Sequence, residues 1–196
     1  MVWTTIRLYT PLSDSDIETL HAGDRILLNG FVYTARDEAH RRLVELIDSG
    51  RPIPKVLDLK GAIIYYVGPT PPAPGKIIGS AGPTTAIRMD PFAIKLMEST
   101  GIKGMIGKGE RSQEFRDACK RYKSIYFAAT GGVAALLSKY IKSSEVILYQ
   151  DLGTEAIHKF KIVDFPVIVV NDIFGRDFYE IGRKNHSTSI RDILNT

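Results

Sequence analysis

The stretch DPFAIKLMESTGIKGMIGKGERSQEFRDACKRYKSIYFA, from Asp90 to Ala128, decides the fold class, because helical and strand patterns alternate along it. Asp90 followed by Pro91 reads as an N-cap with proline at the first helical position, opening a helix that Gly101 ends. A short strand at Gly104-Met-Ile106, a helix capped near Ser112 and a strand at Ser124–Ala128 follow. Outward toward the C-terminus come a helix from Val133 to Tyr140 and a strand at Val146–Tyr149. Alternation of this kind predicts a sheet covered by helices and at least partly parallel. The last third breaks the rule. Ala156–Val163 alternates and Pro166–Val170 is a continuous apolar run, which reads as two strands with no helix between them. The expected class is therefore mixed α/β with a mixed sheet.

Toward the N-terminus, Ser15 with Glu18 reads as a capping box opening a short helix. Asp24–Thr34 is strand-like, with a turn or bulge at Asn29-Gly30. A helix follows, capped by Thr34 or a neighbour, with Ala39, Leu43, Leu46 and Ile47 at helical spacing and Gly50 as its stop. Ala62–Val67 is a strand, and Pro69, Pro71, Pro72 and Pro74 hold an extended loop ahead of strand-like Lys76–Ser80.

At 196 residues and 44% hydrophobic, the chain can bury a substantial core in one domain, expected over residues 1–182, with 183–196 as a mobile tail. The net charge of +4 is modest and both signs are spread throughout, which gives no case for nucleic acid. No run of 18 apolar residues exists, and the opening Met1–Arg7 lacks the features of a signal peptide, so a cytoplasmic protein without a membrane span is expected. Cys119 is the lone cysteine, and His21, His40, His158 and His186 show no ligand spacing, so no metal site is expected from this chain alone.

Chemistry concentrates at strand-to-helix junctions. Arg36 sits in Thr34-Ala-Arg-Asp37, either as a solvated first-turn arginine or as a carboxylate clamp. Gly82-Pro-Thr-Thr-Ala-Ile-Arg88 supplies adjacent hydroxyls, Thr84 and Thr85, and the cation Arg88, although threonines in such loops also serve simply to cap backbone. Gly107-Lys-Gly-Glu-Arg-Ser112 places Lys108 between glycines without the spacing of a nucleotide phosphate loop. Gly131-Gly132 opens another helix, more suited to close packing than to a ligand. If the strands are parallel, these junctions share one sheet end, where ligands collect in open α/β folds. Arg36, Thr84, Thr85, Arg88 and Lys108 together suit a ligand with two carboxylates. No general base is evident among them.

In order along the chain, Gly23-Asp-Arg-Ile26, Thr34-Ala-Arg-Asp37, His40-Arg-Arg-Leu43, Gly68-Pro69, Gly82-Pro-Thr-Thr85, Arg88-Met-Asp90, Gly107–Ser112, Leu152-Gly153, Glu155-Ala156 and Asp164-Phe-Pro166 resemble the β subunit, or fused C-terminal domain, of class I iron–sulfur fumarate hydratases and the related tartrate dehydratases. The resemblance implies a swivelling β/β/α-type domain and a hydro-lyase of the tricarboxylic acid cycle, hydrating fumarate reversibly to (S)-malate. It implies a hetero-oligomer whose α subunit carries the [4Fe–4S] cluster, with this chain inactive or nearly so alone. By the same resemblance Arg36, Arg88 and Lys108 bind the dicarboxylate and Thr84 serves proton transfer. The β subunit of L-tartrate dehydratase or of another iron–sulfur hydro-lyase, a cluster-independent small-acid isomerase or hydratase, and a non-catalytic assembly module are the competing expectations.

Overall fold

The computed structural model describes residues 5–130 and 132–184. Strands β1 (Thr5–Tyr9), β2 (Arg25–Thr34), β3 (Ile63–Tyr65), β4 (Gly104–Gly107), β5 (Ile125–Ala128), β6 (Ile141–Leu148) and β7 (Ile157–Asn171) form one mixed seven-stranded sheet in the order β1-β2-β3-β4-β5-β7-β6. β1 to β5 run parallel, whereas β7 is antiparallel to β2, β5 and β6. Because β7 pairs with both β5 and β2, strands β2, β3, β4, β5 and β7 close into a ring. Helices α1 (Asp14–Ile17), α2 (Asp37–Asp48), α3 (Asp90–Thr100), α4 (Gln113–Tyr122) and α5 (Ala134–Leu137) accompany the sheet in a mixed α/β domain, and a further helical stretch at 178–184 follows β7, taking in the first two residues of the segment expected as a tail. None of the described helices is long and apolar enough to cross a membrane.

Side-chain alternation divides the interior in two. Ile63, Tyr65, Ile106, Ile125 and Phe127 enter one core with Ile17 of α1 and Leu137 of α5. Ile64, Met105 and Tyr126 enter the other, packed against Leu43 of α2, Leu96 of α3 and Phe115 of α4. Burial on both faces is why β3 to β5 read as short apolar runs rather than as an apolar–polar alternation. The register aligns Thr34 with Tyr65, Tyr65 with Ile106, and Ile106 with Phe127. The C-terminal ends of four strands are thus level.

Several local expectations change. Residues 157–171 form one strand, because Asp164 absorbs the interruption in a left-handed conformation (φ 50°) opposite the β2 bulge at Asn29. Asn29 Oδ1 accepts from the Asp164 amide at 3.0 Å. The first N-cap is Ser13, with Asp16 completing its capping box; Ser15 only contacts the Ser13 hydroxyl. Thr34 caps no helix: its hydroxyl donates to the Ala156 carbonyl and accepts from the His158 amide, tying the end of β2 to the start of β7. The α2 N-cap is Arg36, without a side-chain cap. Met89, not Asp90, is the N-cap of α3, which follows a 3-10 turn at Ile87–Met89 and still ends at left-handed Gly101. Lys76–Ser80 forms no strand but folds back on Thr70, whose proline neighbours cannot donate to a ladder. Only Ala134–Leu137 of the Val133–Tyr140 segment is α-helical, a 3-10 turn following, and β6 begins earlier than expected, at Ile141. Gly131, Met1–Thr4 and the tail from 185 onward lie outside the described residues.

Candidate active site

Beyond the level strand ends, β3 and β4 separate and residues Thr84–Ala86 thread between them. The Thr84 amide donates to the Tyr66 carbonyl (2.8 Å), the Lys108 amide to the Thr84 carbonyl (3.1 Å), and the Ala86 amide to the Lys108 carbonyl (2.9 Å). Thr85 and Lys108 form a parallel bridge. Gly107 permits this approach: a Cβ there would lie 2.9 Å from both Ala86 Cβ and Tyr66 Cδ2. Thr84 is therefore held by backbone on each side, Thr85 is bridged to Lys108 alone, and neither caps a helix.

Arg88, on the 3-10 turn, donates from Nε to Asp37 Oδ1 and from Nη2 to Asp37 Oδ2, both at 3.0 Å. These charge-assisted bonds from Arg88 hold the Asp37 carboxyl below its usual range. Neighbouring Arg36 leaves β2 in an extended conformation, and its side chain is 28% exposed. Its Nη2 lies 3.6 Å from Glu155 Oε1, while its buried Nε has no partner among the described residues. The other Glu155 oxygen accepts from the Glu38 amide in the first turn of α2. Gly68 lies against Arg36, with no room for a side chain between Arg36 Nη1 and the Thr154 carbonyl. Lys108 is exposed and its amine has no partner among the described residues.

All five residues singled out from the sequence thus lie on segments at or beside the C-terminal end of the central strands. Arg36, Asp37 and Arg88 form one chain of contacts, while Thr84, Thr85 and Lys108 form a second, joined to it through the turn at Ile87–Met89. Chemically, a guanidinium can hold a carboxylate through two parallel hydrogen bonds and an ammonium acts on it as a point charge. The counterions Asp37 and Glu155 were not legible as such, since their partners are remote in sequence.

Beneath this end of the sheet lies a buried layer that local patterns did not reveal. His40, fully buried, donates from Nδ1 to the Arg36 carbonyl (2.8 Å) and packs edge-on against Tyr66. Burial pushes its pKa down to about 4, so the ring is neutral and Nδ1–H donates. Burial also pushes the Tyr66 phenol up to about 12. Arg111 is buried and donates from Nε to Asp90 Oδ1 at 2.6 Å.

The donor set does not fit an iron–sulfur cluster. Cys119 is the only cysteine in the sequence, it points into the helix-side core, and burial raises its thiol to about 12. Among the described residues no group of three or more His, Cys, Asp or Glu side chains could hold a metal ion.

The family Fumarase C-terminus matches residues 3–182. Among related proteins, "Fumarate hydratase class I, aerobic" of Escherichia coli is 42% identical over 157 residues, covering 80% of this chain and 28% of that protein. "Putative L(+)-tartrate dehydratase subunit beta" of Methanocaldococcus jannaschii is 34% identical over 191 residues, 95% of this chain and 97% of that protein. "L(+)-tartrate dehydratase subunit beta" of Escherichia coli is 33% identical over 181 residues, 90% and 88% of the two chains. The chain spans little more than a quarter of the length of the fumarate hydratase it matches, 28%. The match over nearly all of the described fold, together with these relatives, places the chain in the Fumarase C-terminus family.

Proposed function

We propose that this chain acts as the β subunit of a class I fumarate hydratase, contributing the dicarboxylate-binding face of a reversible fumarate hydration site. The observation that supports this reading is that Arg36 follows the C-terminal end of β2, Lys108 follows that of β4, Thr84 and Thr85 lie on the segment held between Tyr66 and Lys108, and Arg88 reaches Asp37 beside Arg36. In this reading the cations neutralise the two substrate carboxylates. Arg88 presents a planar fork, and Lys108 adds a mobile point charge. Thr84 Oγ1 moves a proton to or from the substrate, which a hydroxyl can do only where neighbouring cations stabilise its alkoxide-like form. The face lacks a second acid–base group, and the [4Fe–4S] cluster expected for the class has no ligand set here. Both are assigned to a cysteine-bearing α subunit in a cytoplasmic hetero-oligomer, and the isolated chain is inactive or nearly so.

A second reading, the β subunit of L-tartrate dehydratase, is favoured by one observation: the relatives bearing that name match along 88–97% of their own length. Anaerobic co-expression with the cysteine-bearing partner, followed by assays of fumarate hydration and of malate and tartrate dehydration, decides between them. Turnover of fumarate and malate above tartrate supports the first reading. Preference for tartrate selects the second, and activity in the isolated chain overturns the division of labour.

A further inference from the structure

Asp90 and Arg111 form an ion pair with almost no solvent contact, their side chains 6% and 0% exposed. Arg111 Nε donates to Asp90 Oδ1 at 2.6 Å, and the Ser112 amide donates to Oδ2 at 2.7 Å. The guanidinium carbon lies 3.3 Å from the centre of the Phe115 ring, 4.7 Å from that of Tyr126 and 5.4 Å from that of Tyr66. Nη2 reaches the Tyr66 hydroxyl at 3.5 Å, and the Tyr126 hydroxyl donates to the Gly109 carbonyl at 3.1 Å.

A buried pair of this kind is a poor source of net stability, because desolvation offsets the attraction and well-packed neutral side chains often serve as well. Its geometry offers something that neutral packing would not. Asp90 follows Arg88 by two residues, Arg111 follows Lys108 by three, and the two carboxylate oxygens grip the Lys108 loop at separate atoms. Tyr66 joins the same layer: its carbonyl holds the Thr84 amide while its ring flanks the guanidinium.

We infer that Asp90 and Arg111 are positioning residues that fix the Lys108 loop relative to the Thr84–Arg88 segment, setting the spacing at which their charged groups meet a dicarboxylate. This rests on the proposed reading of that end of the sheet as a dicarboxylate site. Neither residue need touch the ligand. A displacement of about 1 Å between the loops is enough to cost on the order of a hundredfold in turnover.

The test uses the complex with the cysteine-bearing partner. Succinate, which carries two carboxylates but has no double bond to hydrate, is titrated calorimetrically, and fumarate turnover is measured in parallel. The single variant Arg111→Met strands a buried carboxylate and is expected to lower the melting temperature. The double variant Asp90→Asn/Arg111→Met removes both charges and is expected to regain it. Ile17→Ala, in the opposite core, serves as a control that lowers the melting temperature without moving the loops. A positioning role predicts that the double variant, with its melting temperature restored, still binds succinate about tenfold or more weakly, while Ile17→Ala binds normally. Wild-type affinity in the restored double variant overturns the inference. Should that variant fail to fold, Arg111→Lys carries the test, since it keeps the charge but not the planar fork among the rings. The same loss is expected, and wild-type affinity again overturns the role. Intact succinate binding without fumarate turnover in the wild-type complex sinks the proposed reaction and not the positioning role.

Discussion

Arg88 and Asp37 meet in a two-pronged pair, Nε to Oδ1 and Nη2 to Oδ2, at 3.0 Å each. Both side chains are nearly half exposed, 45% and 42%, so the pair is worth no more than about 1 kcal/mol to the fold. It is well suited to exchange: a substrate carboxylate offers Arg88 the same geometry that Asp37 occupies. Asp37→Asn removes an ionised competitor while leaving a hydrogen-bond acceptor in place. The expected outcome is succinate affinity raised a few-fold with stability almost unchanged, measured by calorimetry and thermal melting. Weaker binding would show instead that Asp37 orients Arg88 for the ligand.

Thr84 is held through its own amide and carbonyl, so its side chain can be changed without dislodging the segment. Thr84→Val keeps the shape and removes the hydroxyl. In the assembled complex, kcat for malate dehydration is expected to fall by roughly 10²–10⁴ with little change in KM, the range for loss of one proton-transfer group. Normal turnover would remove Thr84 from the chemistry.

What the sequence disclosed follows from how local its signals are. The parallel strands β3, β4 and β5 were legible because each is a short apolar run bounded by glycine or a capping residue. The placement of Arg36 and Lys108 just past the ends of β2 and β4 followed from that parallelism, since strand-to-helix junctions must then lie at one end. The continuity of β7 was hidden because Asp164 has a conformation that normally ends a strand, and only the opposing Asn29 bulge accommodates it. The pairs Asp90–Arg111, Asp37–Arg88 and Arg36–Glu155 were hidden for another reason: each joins residues brought together by the fold alone.

His40 couples folding to pH. Its folded pKa, about 4, lies below the unfolded value near 6.5, because burial penalises the charged ring. The unfolded chain therefore binds the proton first. The associated stability is complete above pH 6.5 and is lost as pH falls toward 4, by roughly 3 kcal/mol in all. Carboxylates such as Asp37 and Asp151, whose folded pKa values are lowered by Arg88 and Arg42 respectively, add their own losses nearer and below pH 4. His40→Gln is expected to flatten the dependence of unfolding free energy on pH between 6.5 and 4.5, read from urea titrations. An unchanged slope would assign the loss to other groups.

Gly68 offers the sharpest separation of site from scaffold. A Cβ at this position would lie 2.8 Å from Arg36 Nη1, 3.2 Å from Arg36 Cδ and 3.0 Å from the Thr154 carbonyl. The backbone there does not require glycine, since its φ lies outside the left-handed region, and Pro69 next to it favours the extended conformation that alanine also adopts. The side chain of Arg36 is the softer obstacle, because a long arginine can swing where a backbone carbonyl cannot. Gly68→Ala should therefore displace the guanidinium and leave the fold standing, with the loss of unfolded-state freedom offsetting part of the contact strain. Succinate affinity is expected to fall about tenfold, with the melting temperature nearly unchanged. Arg36→Met supplies the second arm of a double-mutant cycle: if Gly68 acts through Arg36, adding Gly68→Ala to Arg36→Met costs no further affinity. Additive losses would place the effect of Gly68 on the Thr154 side instead, and wild-type affinity in the single variant would mean that Arg36 does not hold the ligand from its observed position.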